Sequence, residues 1–421
     1  EEKWPPKRPW QSLLETSSST SNNRCIMKLL LLLSFSLSNL FASSILLVSI
    51  DGYRHDYNEI YSPPFLSSFA KDSARLESLI PSFPTKTYPN HLSLVTGRYP
   101  INHGIVSNYF FEPSFEGTYK LKDRSSVKDS RFYKAGPIWN LVEKNGLKSA
   151  PYFWPGSETA INGIRPSYWE EYNHSATHDE KVNKVIKYFS LANELRPDFV
   201  TLYFHDVDSA GHKYGPRSSQ TKEAIMAVDR SLNKLITKLK EIQPDLNIII
   251  VSDHGMTSLN PDRVEELSKN SEVEKILSSF KAVGEGTMIH LYKKRETNIG
   301  LAIKHLNKGS KNYSCYPNSS IPKELNYRNR PEIGDIVCLA EKGWSIFVDK
   351  KEFQKLGAHG YSNKGHKDMH GILYAKGPAF KNVELPSKKN IHLYPLMAKI
   401  LNLEFDHEID GELSELEGLL K

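Results

Sequence analysis

Three aspartates and three histidines stand in short, glycine-containing segments of this chain. They are Asp51 in VSIDGYR, Asp208 and His212 in DVDSAGHKYGP, Asp253 and His254 in VSDHGM, and His359 in GAHGYSN. Taken singly, each reads as a turn, a cap or an exposed residue. Taken together they repeat one arrangement, acids and imidazoles flanked by glycines that let the backbone turn tightly. Carboxylate oxygen and neutral imidazole nitrogen are ligand types suited to Zn²⁺, and six of them with one hydroxyl suffice for two ions. Asp208 and His212 lie four residues apart and would share one face of a helical turn. Adjacent Asp253 and His254 cannot share a face of a regular strand, but on a tight loop they could reach one ion or two separate ones. A purely structural zinc site would close with four protein ligands and favour cysteine.

The hydroxyl is supplied by the segment FPTKTYPNH. Thr87 stands between Pro84 and Pro89, where the backbone should be extended or turned, and the run from Asn90 reads as a helix start. Free N–H groups at such a point attract phosphate oxygens. A threonine hydroxyl is a poor nucleophile unless a bound metal ion lowers its pKa. Spacing alone leaves Thr87 as a helix cap or a nucleophile, with Thr85 as the local competitor.

The elements that must position these groups follow from apolar patterning. Ile45–Ile50, Phe199–Phe204, Ile248–Val251 and Ile372–Ala375 are continuous apolar runs of buried-strand type. Between them, Lys181–Leu195 and Gln220–Glu241 read as helices. The second has Ile225, Val228, Leu232, Ile236 and Leu239 at three- and four-residue steps and stops before Gln243-Pro244. Such alternation predicts an α/β fold, a mostly parallel central sheet with helices on both faces. Ligands bind at the carboxyl ends of the strands in such sheets, and two of these ends are acidic. Residues 110–180, rich in Tyr, Trp, Pro and Gly, read as an inserted rim. Residues 304–343 read as a second irregular insert, and no internal repeat is evident.

Composition narrows the class further. The 421 residues are 39% hydrophobic and 25% charged, which excludes fibrous and wholly disordered chains. A net charge of +6 is small for this length and argues against dedicated nucleic-acid binding, without excluding a small anionic substrate. Residues 1–26 are polar and aperiodic. Met27-Lys28, the apolar run Leu29–Leu40 and Ala42-Ser43-Ser44 have the order of a secretory leader. The expectation is therefore a non-mature extension plus signal peptide over 1–44, and a single exported catalytic domain over 45–421. This mature chain would carry no membrane span, no obligate protein partner and a net charge near +4. Cys315 and Cys338 would remain to pair in an oxidising space, and Asn173, Asn312 and Asn318 head glycosylation sequons.

These segments resemble the nucleotide pyrophosphatase/phosphodiesterase family of the alkaline phosphatase superfamily. The matching pieces are VSIDGYR, SFPTKTYPNHLSLVTGRYPINHGIVSN, WPGSETAINGIRP, DVDSAGHKYGP, VSDHGM and GAHGYSN followed by ILYAKGPAF, in the family's order. The resemblance implies an alkaline-phosphatase-like fold and two Zn²⁺ ions, one held by Asp208, His212 and His359, the other by Asp51, Thr87, Asp253 and His254. It implies Thr87, not Thr85, as nucleophile and Asn108 as a donor to a phosphate oxygen. It makes Tyr88 and Tyr172 the rings between which a nucleobase stacks, with Trp154 and Tyr203 lining the same pocket. The implied reaction is two-step: a nucleotidyl-threonine forms, and water releases a nucleoside 5′-monophosphate. A diesterase acting on choline-type lipids or glycerophosphodiesters, a phosphomonoesterase, and a metal-containing binding protein without turnover are the alternatives. The chain departs from the family pattern at Asp206-Val207, commonly Glu-Pro, and at Ser362, commonly Asp.

Overall fold

A computed structural model describes residues 44–349 and 354–421. The extension and all but the last residue of the leader expected from sequence lie outside the described residues. The first strand, β1 (Ile45–Ile50), is wholly buried, and its alternate side chains face two separate cores. Ile45 and Leu47 join one apolar cluster, whereas Leu46, Val48 and Ile50 join the other. Both faces of the sheet are therefore covered by packed layers, which explains why the strand reads as an unbroken apolar run.

Six further strands complete the sheet: β2 (Ala74–Leu76), β3 (Ser149–Pro151), β4 (Phe199–Phe204), β5 (Asn247–Val251), β6 (Leu373–Lys376) and β7 (Glu384–Leu385), in the order β7-β2-β6-β5-β1-β4-β3. Strands β1, β3, β4 and β5 run parallel, as do β2 and β7. Strand β6 is antiparallel to both of its neighbours, against the plain βα alternation expected for the run Ile372–Ala375. The reason is connectivity. The chain leaves β5 at its carboxyl end, builds an excursion there and re-enters from that same edge, so the returning strand must run the other way.

Four helices matter to the site: α1 (Thr87–Thr96), α2 (His178–Phe189), α3 (Asp206–Tyr214) and α4 (Ser219–Ile242). Helix α1 starts at Thr87, three residues earlier than the sequence suggests. Pro89 is accommodated because first-turn N–H groups have no partner within the helix. Helix α2 is set by a capping box between Thr177 and Glu180 and ends at Phe189, six residues short of the Leu195 expected. In α4 all five periodic apolar residues are buried.

The two irregular stretches are more ordered than their composition suggests. Residues 110–180 contain the edge strand β3 and send Phe110, Tyr119, Phe132 and Trp139 into the core, so this stretch is only partly a rim. Residues 304–343 belong to a larger unit, a four-stranded antiparallel sheet of Phe280–Val283, Met288–Lys293, Ile336–Ala340 and Tyr313–Pro317 with its own apolar cluster. Cys315 and Cys338 face each other on adjacent strands of that sheet and are disulfide-bonded.

Two buried histidines outside the site make the fold acid-sensitive. Burial drives the imidazoles of His103 and His290 down to about 3. Both therefore stay neutral in the folded chain while an unfolded histidine protonates near its ordinary ~6.5. The stability they contribute is complete above that value and is lost as pH falls through it toward 3. At pH 5 each should cost about 2 kcal/mol relative to pH 7. Guanidinium unfolding at both pH values checks this, and His290→Gln should shrink the difference by about 2 kcal/mol.

Candidate active site

All six acidic and imidazole residues converge at the carboxyl edge of the sheet. Asp51 follows β1, Asp208 and His212 lie on α3 just beyond β4, and Asp253 and His254 follow β5. His359 comes from the excursion that returns into β6. Gly52 permits the close approach: at φ 69°, a β-carbon there would lie 3.0 Å from the Cα of Asp208. Gly360, at φ 109°, plays the same part beside His359, where a β-carbon would meet Thr287 Oγ1 at 2.3 Å.

The imidazoles are oriented by backbone carbonyls. Nδ1 of His212 faces Gly357 O at 2.8 Å, Nδ1 of His254 faces Gly255 O at 2.9 Å and Nδ1 of His359 faces Thr85 O at 2.7 Å. A carbonyl only accepts, so each Nδ1 carries the proton and each Nε2 presents a lone pair. The Nε2 atoms of His212 and His359 are 3.1 Å apart, each 3.5 Å from Asp208 Oδ1. Nε2 of His254 lies 3.0 Å from Asp253 Oδ2, 3.4 Å from Asp51 Oδ1 and 3.3 Å from Thr87 Oγ1. The buried atoms Asp51 Oδ1, Asp208 Oδ1 and Asp253 Oδ2 accept no hydrogen bond. Lone pairs facing lone pairs and single carboxylate oxygens without donors are an arrangement that a divalent cation stabilises.

Two sets of ligand atoms meet the spacing for an ion: Asp208, His212 and His359, and Asp51, Asp208 and His254. Asp253 lies beside the second set, its Oδ1 accepting the Gly52 N–H at 3.2 Å. Burial pushes the Asp51 and Asp253 carboxyls well above the usual range and drives His254 and His359 well below theirs. A cation between them favours the ionised carboxylates and neutral imidazoles together.

Thr87 is the first residue of α1, with its hydroxyl toward His254. Thr85 is committed elsewhere: its hydroxyl donates to Tyr361 O at 3.0 Å and accepts the Gly360 N–H at 2.8 Å. Asn108 Oδ1 accepts the Tyr88 N–H at 3.0 Å, which leaves the Asn108 amide N–H groups free to donate. Around these residues opens a pocket of about 800 Å³ that also includes Tyr88, Trp154, Tyr172 and Tyr203.

Two of the lining aromatics are structural partners as well. Tyr203 donates to Asp51 Oδ2 at 2.5 Å, and Trp154 donates through Nε1 to His91 O at 3.1 Å. The two departures from the family pattern touch no ligand atom. Asp206 Oδ2 is 3.1 Å from His178 Nε2, and Ser362 Oγ accepts the Lys364 N–H at 3.1 Å.

Sequence reading missed several residues here. His91, wholly buried, holds Ser49 Oγ at 2.8 Å and Thr87 O at 2.8 Å, and approaches Asp253 at 3.3 Å. Its place one helical turn after Thr87 was the available signal. Arg124 pairs with Glu158, whose Oε1 accepts the Tyr172 N–H at 2.7 Å. Lys86, half-buried beside Thr87, is lowered to about 8 by desolvation and by Lys355.

A hydroxyl at a helix start, faced by metal-competent carboxylates and imidazoles at the carboxyl edge of an α/β sheet, defines a hydrolytic enzyme. The family model described as type I phosphodiesterase / nucleotide pyrophosphatase matches residues 45–362. An uncharacterized pyrophosphatase/phosphodiesterase of Schizosaccharomyces pombe is 32% identical over 384 residues, covering 87% of this chain and 78% of that protein. Human ectonucleotide pyrophosphatase/phosphodiesterase family member 5 is 33% identical over 89% of this chain and 78% of its own. Venom phosphodiesterase 2 of Crotalus adamanteus is 33% identical over 86% of this chain, which spans 46% of that protein. The structure of murine ectonucleotide pyrophosphatase/phosphodiesterase 5, in an inactive threonine-to-alanine form in complex with AMP, superposes with a TM-score of 0.83 at 31% identity. It covers 90% of this chain and all of its own. The chain belongs to the type I phosphodiesterase / nucleotide pyrophosphatase family.

Proposed function

We propose that this enzyme hydrolyses nucleotide phosphodiester and pyrophosphate bonds through a nucleotidyl-threonine on Thr87, with two Zn²⁺ ions as cofactors. The observation that carries this reading is the placement of Thr87 Oγ1 3.3 Å from His254 Nε2, at the start of a helix and within the ligand cluster. Asp208, His212 and His359 would hold one ion, and Asp51, Asp253, His254 and Thr87 the other. When bound, such ions supply Lewis acidity that lowers the pKa of the threonine hydroxyl and offsets charge on the phosphorus oxygens.

The chain's own residues do the rest. Thr87 Oγ1 attacks phosphorus in line, the bond to the leaving oxygen breaks, and water later cleaves the threonyl ester. Asn108 donates to a non-bridging oxygen, with its orientation set by the Tyr88 N–H. Tyr88 and Tyr172 sandwich the base, while Trp154 and Tyr203 close the pocket. Export fits the Cys315–Cys338 bond, which belongs to an oxidising space. Among the described residues no helix is long and apolar enough to cross a membrane.

A diester panel tests the reading. Thymidine 5′-monophosphate nitrophenyl ester should be hydrolysed in preference to nitrophenyl phosphorylcholine and to plain nitrophenyl phosphate. Tyr172→Ala should remove roughly 1–3 kcal/mol of base stacking, raising KM for the nucleotide ester about 5- to 150-fold. Equal loss on a diester without a base would make Tyr172 a packing residue.

A further inference from the structure

The Tyr172 ring lines the pocket from a loop that precedes α2, and its hydroxyl is gripped from two sides. His174 Nδ1 lies 3.1 Å and His205 Nδ1 3.3 Å from the phenolic oxygen. The two imidazoles lie against each other with ring centroids 4.0 Å apart. His174 belongs to the same loop as Tyr172, but His205 is the residue immediately before α3. We propose that His174 and His205 are positioning residues for substrate specificity: together they lock Tyr172 to the head of the helix that carries Asp208 and His212.

This inference rests on the nucleotide reading above and deepens it. A stacking platform discriminates only if its ring is held at a fixed place relative to the reacting phosphorus. Here the constraint runs from the ring, through its hydroxyl, to the element that presents two proposed ligands. A phenol can donate to one ring nitrogen and accept from another, so the two histidines satisfy it in opposite tautomers. Burial lowers His205 to about 4, which keeps it neutral at neutral pH and able to take either role. The neighbouring aromatic rings meet it edge-on: Phe153 at 5.4 Å and Tyr203 at 6.0 Å between centroids. The ring is also half-buried against the apolar core, and the two hydrogen bonds fix its hydroxyl end.

The test is the KM ratio between bis(nitrophenyl) phosphate, a diester without a base, and thymidine 5′-monophosphate nitrophenyl ester. Paired His174→Phe and His205→Phe keep the rings and remove Nδ1. Paired His174→Asn and His205→Asn replace Nδ1 with an amide group in nearly the same position. Nucleotide preference should fall about tenfold in the Phe pair, the equivalent of about one neutral hydrogen bond, with the change in KM, not kcat. The Asn pair should retain most of it. Tyr172→Phe should reproduce the loss, and adding the Phe pair to it should change nothing more. A preference that survives the Phe pair, or falls equally in the Asn pair, overturns the positioning role alone. A wild-type enzyme with no preference for the nucleotide ester overturns the nucleotide reading, and the inference with it.

Discussion

Thr87→Ala should eliminate diester turnover, by a factor on the order of 10⁴–10⁶, as removal of a covalent nucleophile does elsewhere. Metal content should be nearly unchanged, because six other side chains supply the ligand set. Thr85→Ala is the control. Its hydroxyl accepts the Gly360 N–H and donates to Tyr361 O, so its loss should cost about 1–3 kcal/mol of stability. The carbonyl that orients His359 belongs to the backbone and survives the substitution. Turnover in Thr85→Ala should therefore stay within about tenfold of wild type. Steady-state kinetics with a nucleotide nitrophenyl ester and metal analysis on the same samples decide the matter. Comparable activity in the two variants would remove Thr87 from the chemistry.

His359→Ala carries the second large effect. Its Nε2 sits 3.1 Å from His212 Nε2 and 3.5 Å from Asp208 Oδ1, and its ring stacks on His254 at 3.6 Å between centroids. Removing it opens one ligand set and withdraws packing from the other. The variant should lose one metal equivalent and more activity than the roughly 10–100-fold that loss of an outer hydrogen-bond partner costs. Chelation of the wild-type enzyme should do the same to both ions and lower the melting temperature. A site at 100-fold excess over Kd contributes about 2.7 kcal/mol to stability. Zinc, added back, should restore both. A His359→Ala enzyme with full metal content and full turnover would show that the cluster is not the cofactor site.

Much of this site is legible in the sequence because its residues sit where strands end. Asp51 and Asp253 each follow an uninterrupted apolar run, and such runs mark strands buried on both faces. The start of α1 is not legible, because Pro89 reads as a boundary although a proline in the first turn breaks no helical hydrogen bond. The direction of β6 was not legible, since an apolar run carries no sign of whether the chain re-enters from the same edge. The contribution of residues 110–180 to the core was hidden for a related reason. Aromatic and proline-rich segments look like rims, and only tertiary packing shows Phe110 and Trp139 inside. His91, His174 and His205 act through neighbours and not through a motif of their own, so type and spacing alone did not single them out.

Anomalous diffraction at the zinc edge, on crystals of active enzyme grown with zinc, is the measurement closest to the main claim. Two peaks are expected, one bounded by Asp208, His212 and His359, the other by Asp51, Asp253 and His254 with Thr87 Oγ1 against it. A single peak remote from Thr87, or none at either position in enzyme that still turns over, would contradict the account.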